Sequence, residues 1–208
     1  MKITARKYSR SESVDPKGFT LVELLVVIAI IAILAAVVVL IINPLELTRR
    51  SRDAARLTDL ANLQQAINVS VQEATGSSAT DILCVGGLTS GACTGNSNTG
   101  ARVANGTGWV KANLTAQSSV SVPTLPVDPV NSNGGTNNGY HYTYCSDGTN
   151  WEINTRLESA QQVDKMVNDG GDENAVTGAT LQQKQDNARY EVGSNLTLIQ
   201  STGGLCTY

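Results

Sequence analysis

Few side chains in this sequence are placed to do chemistry, and they divide by type. His141 is the sole histidine and stands among tyrosines, Tyr140, Tyr142 and Tyr144. No serine lies in a G-x-S-x-G setting, no glycine loop has phosphate-binding spacing and no paired acids stand out, so no nucleophile, base or oxyanion site is expected. Four cysteines, Cys84, Cys93, Cys145 and Cys206, include no C-x-x-C pair. That spacing argues against zinc and for two disulfides in an oxidising compartment. Of three possible connectivities, Cys84–Cys93 and Cys145–Cys206 are favoured. The remaining candidate is Glu23, a single acid inside an aliphatic run from Leu21 to Ile42.

That run fixes the organisation of the chain. As a helix its 22 residues reach about 33 Å, enough to cross a bilayer core of ~30 Å. An ionised carboxylate in such a segment costs roughly 2.5–3.5 kcal/mol on insertion scales, so it calls for a partner or a function. No Lys or Arg lies between Phe19 and Leu47. Residues 1–17 are polar, basic and rich in Ser, and read as a leader. A secretory signal would be cut after its apolar region near an A-x-A triplet, and none occurs in or just after Leu21–Ile42. The small residue, Gly18, precedes the run. Cleavage at Gly18–Phe19 would leave the apolar segment on the mature protein.

Lys17-Gly18-Phe19-Thr20-Leu21-Val22-Glu23-Leu24 closely resembles the class III signal of type IV pilins and type II secretion pseudopilins. The resemblance implies that a prepilin peptidase cuts after Gly18 and methylates Phe19, and that Glu23 is the conserved acid of the mature N-terminus. It also supplies Glu23 with a cation, the new α-amine of Phe19, presented by the same helix or by a neighbouring copy. Pairing of that kind is implied to guide assembly.

Downstream, Asn43-Pro44 predicts a kink or locally melted turn, because proline removes a donor and disfavours helix before it. Helical spacing resumes through Leu57, Leu60, Leu63 and Ile67, with Gly76 as the stop. A helix from Phe19 to Thr75 would reach about 85 Å, too long to be buried in a domain of this size. Arg49, Arg50, Arg52 and Arg56 crowd the second half and read as lipid-phosphate contacts, intersubunit pairs or a solvated face. Residues 77–129 are rich in Gly, Ser, Thr and Asn and read as loop, with Trp109–Leu114 a short strand or turn. Alternation in Tyr140–Cys145 and Trp151–Leu157 around Asp147-Gly148 predicts a β-hairpin. Arg189–Val192 and Leu196–Gln200 are further strand candidates.

The expected class is therefore α+β, a long N-terminal helix packed on a small antiparallel sheet, which is also similar to the pilin fold. The expected parts are a leader at 1–18, an apolar half-helix at 19–44, an amphipathic half-helix at 45–76 and a head at 77–208. Leu125-Pro-Val-Asp128-Pro, followed by tyrosine-rich strand, loosely resembles the major pseudopilin, a group that holds calcium nearby. By that analogy Asp128 and Asp147 are weak calcium candidates, with Asp169, Asp172 and Glu173 a second group. Turn chemistry is the stronger reading of both, since calcium needs six to eight oxygens. No other cofactor is expected.

The implied partners are further copies of the chain, the prepilin peptidase, an inner-membrane assembly platform and a cytoplasmic ATPase motor. The precursor is expected in the inner membrane and the product in an extracellular filament. The leading function is a major pilin; the alternatives are a secretion pseudopilin forming a short periplasmic filament, or a single-pass anchored binding domain. Net charge is −3, and once the basic leader is removed the remainder is more acidic. That balance gives no reason to expect nucleic-acid binding. Asn68-Val-Ser70, Asn105-Gly-Thr107, Asn113-Leu-Thr115 and Asn195-Leu-Thr197 match the N-glycosylation pattern, a match that an Asn- and Thr-rich chain produces by chance.

Overall fold

A computed structural model describes residues 18–74, 82–88, 93–115, 119, 122–132, 139–172 and 178–199. The chain divides into two compact units, Met1–Pro44 and Leu45–Tyr208.

The first unit contains α1, Leu21–Ile42. Its aliphatic side chains are exposed on every side, from Leu21 at 79% to Ile41 at 77%, and none of the span Leu21–Val39 is buried. Uniform hydrophobicity without a polar face is the pattern of a membrane segment rather than of a helix lying on a soluble core. The helix ends at Ile42, where Asn43 takes a left-handed conformation, φ 47° and ψ 77°. Pro44 begins the next helix. Proline bars its predecessor from the α region, and Asn is among the few residues that tolerate the left-handed one. The kink or melted turn expected at Asn43-Pro44 is thus a break between two helices.

In the second unit α2 runs from Pro44 to Glu73. Its buried stripe, Asp53, Arg56, Leu60, Leu63, Ala66, Ile67 and Ser70, keeps helical spacing throughout. The first two members are charged and the rest mostly apolar, so one face of one helix packs in two chemically different ways. Leu60, Leu63 and Ile67 meet Trp109, Leu114, Leu125, Tyr142, Tyr144 and Ile153 in the main core. Burial of each such aliphatic side chain contributes about 1.5–3 kcal/mol. Trp109 and Tyr142 stand 5.8 Å apart between ring centroids. Their polar ends are bonded: Trp109 Nε1 donates to the Pro126 carbonyl at 3.0 Å, and Tyr142 donates to Asp59 at 2.9 Å.

The sheet is a four-stranded antiparallel meander in chain order, β1 Thr94–Asn96, β2 Thr143–Ser146, β3 Trp151–Thr155 and β4 Tyr190–Gly193. The expected hairpin is β2–β3, with Ser146 opposite Trp151. In its turn Gly148 has φ +85°, and Asp147 accepts the N–H groups of Thr149 and Asn150 at 2.8 and 2.6 Å. That is the Asx-type turn that Asp-Gly favours. β4 lies where Arg189–Val192 was expected. β1 falls in the stretch read as loop, and Trp109–Leu114 forms no strand beyond a single bridge between Asn105 and Asn113.

Every residue of β2 and β3 is buried, although their patterns alternate. Alternation suggests a half-exposed sheet; here the second face is also covered, in part by Leu198 and Ile199 packed on Cys145. Two short helical elements were not anticipated. One is a 3-10 helix at Val163–Val167, and the other is α3, Leu181–Asn187, which opens on a Thr180/Gln183 capping box.

Candidate assembly site

Gly18 and Phe19 precede α1 in the open. A side chain added at Gly18 would meet no heavy atom within 4 Å, and Phe19 is 82% exposed. Thr20 is the N-cap, with φ −77° and ψ 150°. Its hydroxyl accepts the Glu23 N–H at 3.2 Å, and Glu23 Oε2 accepts the Thr20 N–H at 2.9 Å and the Thr20 hydroxyl at 2.8 Å. This reciprocal capping box satisfies backbone donors that the helix itself cannot. Glu23 therefore has a local task before any cleavage, at the end of the helix where the dipole favours an anion. The signal was legible as Thr-x-x-Glu just before an apolar run, and the reading of Glu23 as an unpartnered acid passed over it.

The weak calcium candidates are engaged in ion pairs and turns. Arg56, fully buried on α2, forks onto Asp128 through Nε at 2.6 Å and Nη2 at 2.9 Å. Its Nη1 reaches Asp53 at 2.8 Å and Glu158 at 2.6 Å. Arg52 bridges to the same Glu158. Asp128 also accepts the N–H of Val130 at 2.8 Å, and Asp53 accepts those of Glu158 and Ser159. Asp147 caps its own turn, its carboxylate accepting from the Thr149 and Asn150 N–H groups and the Asn150 side-chain amide. Asp169 accepts Gly171 and Glu191 N–H groups, and Glu173 lies outside the described residues. Asp128 and Asp147 thus appear as an ion-pair partner and a turn former, and among the described residues no group of three or more acids, His or Cys is arranged to hold a metal ion.

The same contacts revise the reading of the arginines. Arg52 and Arg56 pair within their own subunit, while Arg49 and Arg50 lie exposed beside Glu46 at 3.9 and 3.5 Å. Burial alone would raise the Glu158 carboxyl, but hydrogen bonds from Arg52 and Arg56 outweigh it and hold it below its ordinary value. The Arg56 guanidinium also stands 5.0 Å from the Tyr140 ring, and Arg156 stands 5.1 Å from the same ring. Asp53 and Arg56 lie one helical turn apart, but nothing in the local sequence joins them to positions 128 and 158; only the fold does.

Cys84 and Cys93 form a disulfide with Cα atoms 5.2 Å apart. Cys145 is disulfide-bonded, and Cys206 lies outside the described residues. His141 precedes β2, half-buried, and burial together with the nearby Arg189 charge lowers its basicity. Three of the four Asn-x-Thr/Ser matches form Asx turns, at Asn105, Asn113 and Asn195, whereas Asn68 lies on α2 with Ser70 buried.

An apolar N-terminal helix with an α+β head and a four-stranded antiparallel sheet fits the type IV pilin fold. Residues 16–39 match the prokaryotic N-terminal methylation motif, the hallmark of type IV pilins and pseudopilins. Type IV pilin-like and pseudopilin precursors carry this motif, and in this chain it lies on a helix long and apolar enough to cross a membrane. No curated protein and no solved structure matches the chain.

Proposed function

We propose that the chain is a major pilin, a structural subunit that polymerises through α1 into an extracellular type IV pilus. The observation that carries this reading is the combination at the N-terminus: the methylation motif over residues 16–39 placed on a helix whose apolar residues are exposed on every side. In lipid such a surface has little reason to self-associate, because the tails are equally apolar. Drawn out of the membrane, it gains ~25 cal/mol for each Å² of apolar area buried against other copies. Extraction is uphill and calls for a motor, the role of the cytoplasmic ATPase and its membrane platform.

Prepilin peptidase would cut between Gly18 and Phe19 and methylate Phe19. The resulting amine lies next to Thr20, so the capping box that holds Glu23 sits one residue from the new cation. A neighbour's amine can then approach a carboxylate already fixed in position by Thr20.

Shearing of intact cells followed by mass spectrometry of the N-terminal peptide tests the proposal. A peptide beginning at methylated Phe19 in sheared filaments is the expected result; a chain beginning at Met1 and confined to membranes would overturn it. Filaments recovered only on overproduction of a secretion system would favour the pseudopilin instead. Glu23→Ala is expected to abolish filament yield while leaving cleavage intact.

A further inference from the structure

Asp59 is a half-buried carboxylate on one flank of α2, and among the described residues it makes no ion pair. Its Oδ2 accepts the Tyr142 hydroxyl at 2.9 Å. Burial pushes the carboxyl above its ordinary value, the Asp128 charge adds to that, and the Tyr142 bond and the Arg102 charge offset only part of it. Arg102 itself is spent on the Leu125 carbonyl at 2.8 Å. Asp59 lines a cavity of about 440 Å³ together with Asn62, Gln65, Val122, Pro123 and Pro126. The valine and prolines suit an aliphatic stem, while the carboxylate and the two amide oxygens are acceptors for a polar head. An arginine has both parts, an apolar stem and a fork of five N–H donors.

The same helix carries arginines that its own subunit answers incompletely. Arg49 and Arg50 share a single carboxylate, Glu46, at 3.9 and 3.5 Å, and both side chains remain nearly half exposed. One Glu46 oxygen also accepts the Ala160 N–H at 2.8 Å. Arg49 stands seven positions before the buried Arg56, about two turns, and so falls on the row that turns into the head. Arg50 and Asp59 are nine positions apart, about two and a half turns, which puts them on opposite flanks of α2. A donor and an acceptor on opposite flanks cannot meet within one subunit. Between copies they make a heterologous contact, and a contact of that kind repeats into an open helical array. Arg50 follows the end of α1 by eight residues, so copies joined through α1 bring it within reach of one another's α2.

We propose that the cavity beside Asp59 receives Arg50 of a second copy, so that the two flanks of α2 are the complementary halves of a head-to-tail contact. The proposal rests on the reading of the chain as a filament subunit and adds to it a contact outside α1. Charge pairing of this type sets the register between neighbours more than it adds affinity. α1 then supplies the adhesive surface, and the Arg50–Asp59 pair selects one stagger.

Cross-linking on cells that make the full-length chain tests this. Among the described residues no cysteine is free, so the native chain is the unreactive control. When Arg50→Cys and Asp59→Cys chains are made together, a short bismaleimide is expected to join them into dimers. Either chain made alone should stay monomeric, and a chain carrying both substitutions should give a ladder of multimers. Monomers alone in the mixed sample would overturn the proposal. Cross-linking of Asp59→Cys made alone, whether to itself or to another protein, would do the same. A missing dimer beside sheared filaments that begin at methylated Phe19 sinks this contact and leaves the filament reading standing; if such filaments are missing too, both fall. Should the cysteine variants fail to accumulate, exchange of the charges decides. Arg50→Glu and Asp59→Arg are each expected to lower the yield of sheared filaments, and the double variant to recover it. A double variant no better than either single one would overturn the pairing.

Discussion

The two long helices treat charge in opposite ways. α1 exposes its aliphatic side chains and carries one acid at its first turn, whereas α2 buries a guanidinium among three carboxylates, one of them its own Asp53. In α2 the charges are answered inside the subunit: Arg56 meets Asp53, Asp128 and Glu158, each within 2.8 Å at its closest approach. In α1 neither the apolar surface nor the full capacity of Glu23 is answered within the helix. The difference separates what folding completes from what is left for lipid or for other copies.

The sharpest way to break that contrast is Arg56→Ala. It leaves Asp53, Asp128 and Glu158 buried without their shared cation and is expected to cost about 3–5 kcal/mol, read as a lowered denaturant midpoint of the full chain in detergent. Asp128→Asn, which keeps the shape but removes one charge of the fork, should cost about 1.5–3 kcal/mol in the same assay. Acid should act in the same direction. Glu158 is held below its ordinary 4.5, so its contribution is present above that value and is lost as pH falls through its lower folded value. Stability should therefore decline on acidification below about pH 4.5, and Glu158→Gln should blunt that decline. The smallest effect is expected in α1: Thr20→Ala removes the capping box and should cost about 1 kcal/mol, seen as faster amide exchange in the first turn, with the unfolding midpoint of the head unchanged.

Local chemistry was what the sequence made legible. The apolar run, the break at Asn43-Pro44, the Leu60–Leu63–Ile67 stripe and the Asp147-Gly148 hairpin each depend on neighbours a few residues apart, and each has a counterpart in the structure. What escaped depends on distance along the chain. Arg56 and Asp128 are 72 positions apart, and Arg52 and Glu158 are 106 apart. The alternation at Tyr140–Cys145 correctly indicated a strand, yet only residues 143–146 pair, and both faces are covered by segments whose approach no local pattern encodes. β1 was missed because Thr94-Gly95-Asn96 has poor strand propensity and is held by its pairing with β2. The Thr20/Glu23 capping box was readable, and the interest of Glu23 as a membrane acid drew attention from it.

The meander ends in two edge strands, β1 and β4, and both are short. β1 offers three residues, about 10 Å of backbone, and β4 offers four and ends at Gly193. On β1 the backbone of Trp109 lies so close over Gly95 that a side chain there would collide with it. Edges of this length are poor templates for strand addition. In the filament proposed above, identical copies would stand shoulder to shoulder and be most exposed to sheet-to-sheet fusion, and these short edges offer little backbone on which it could nucleate.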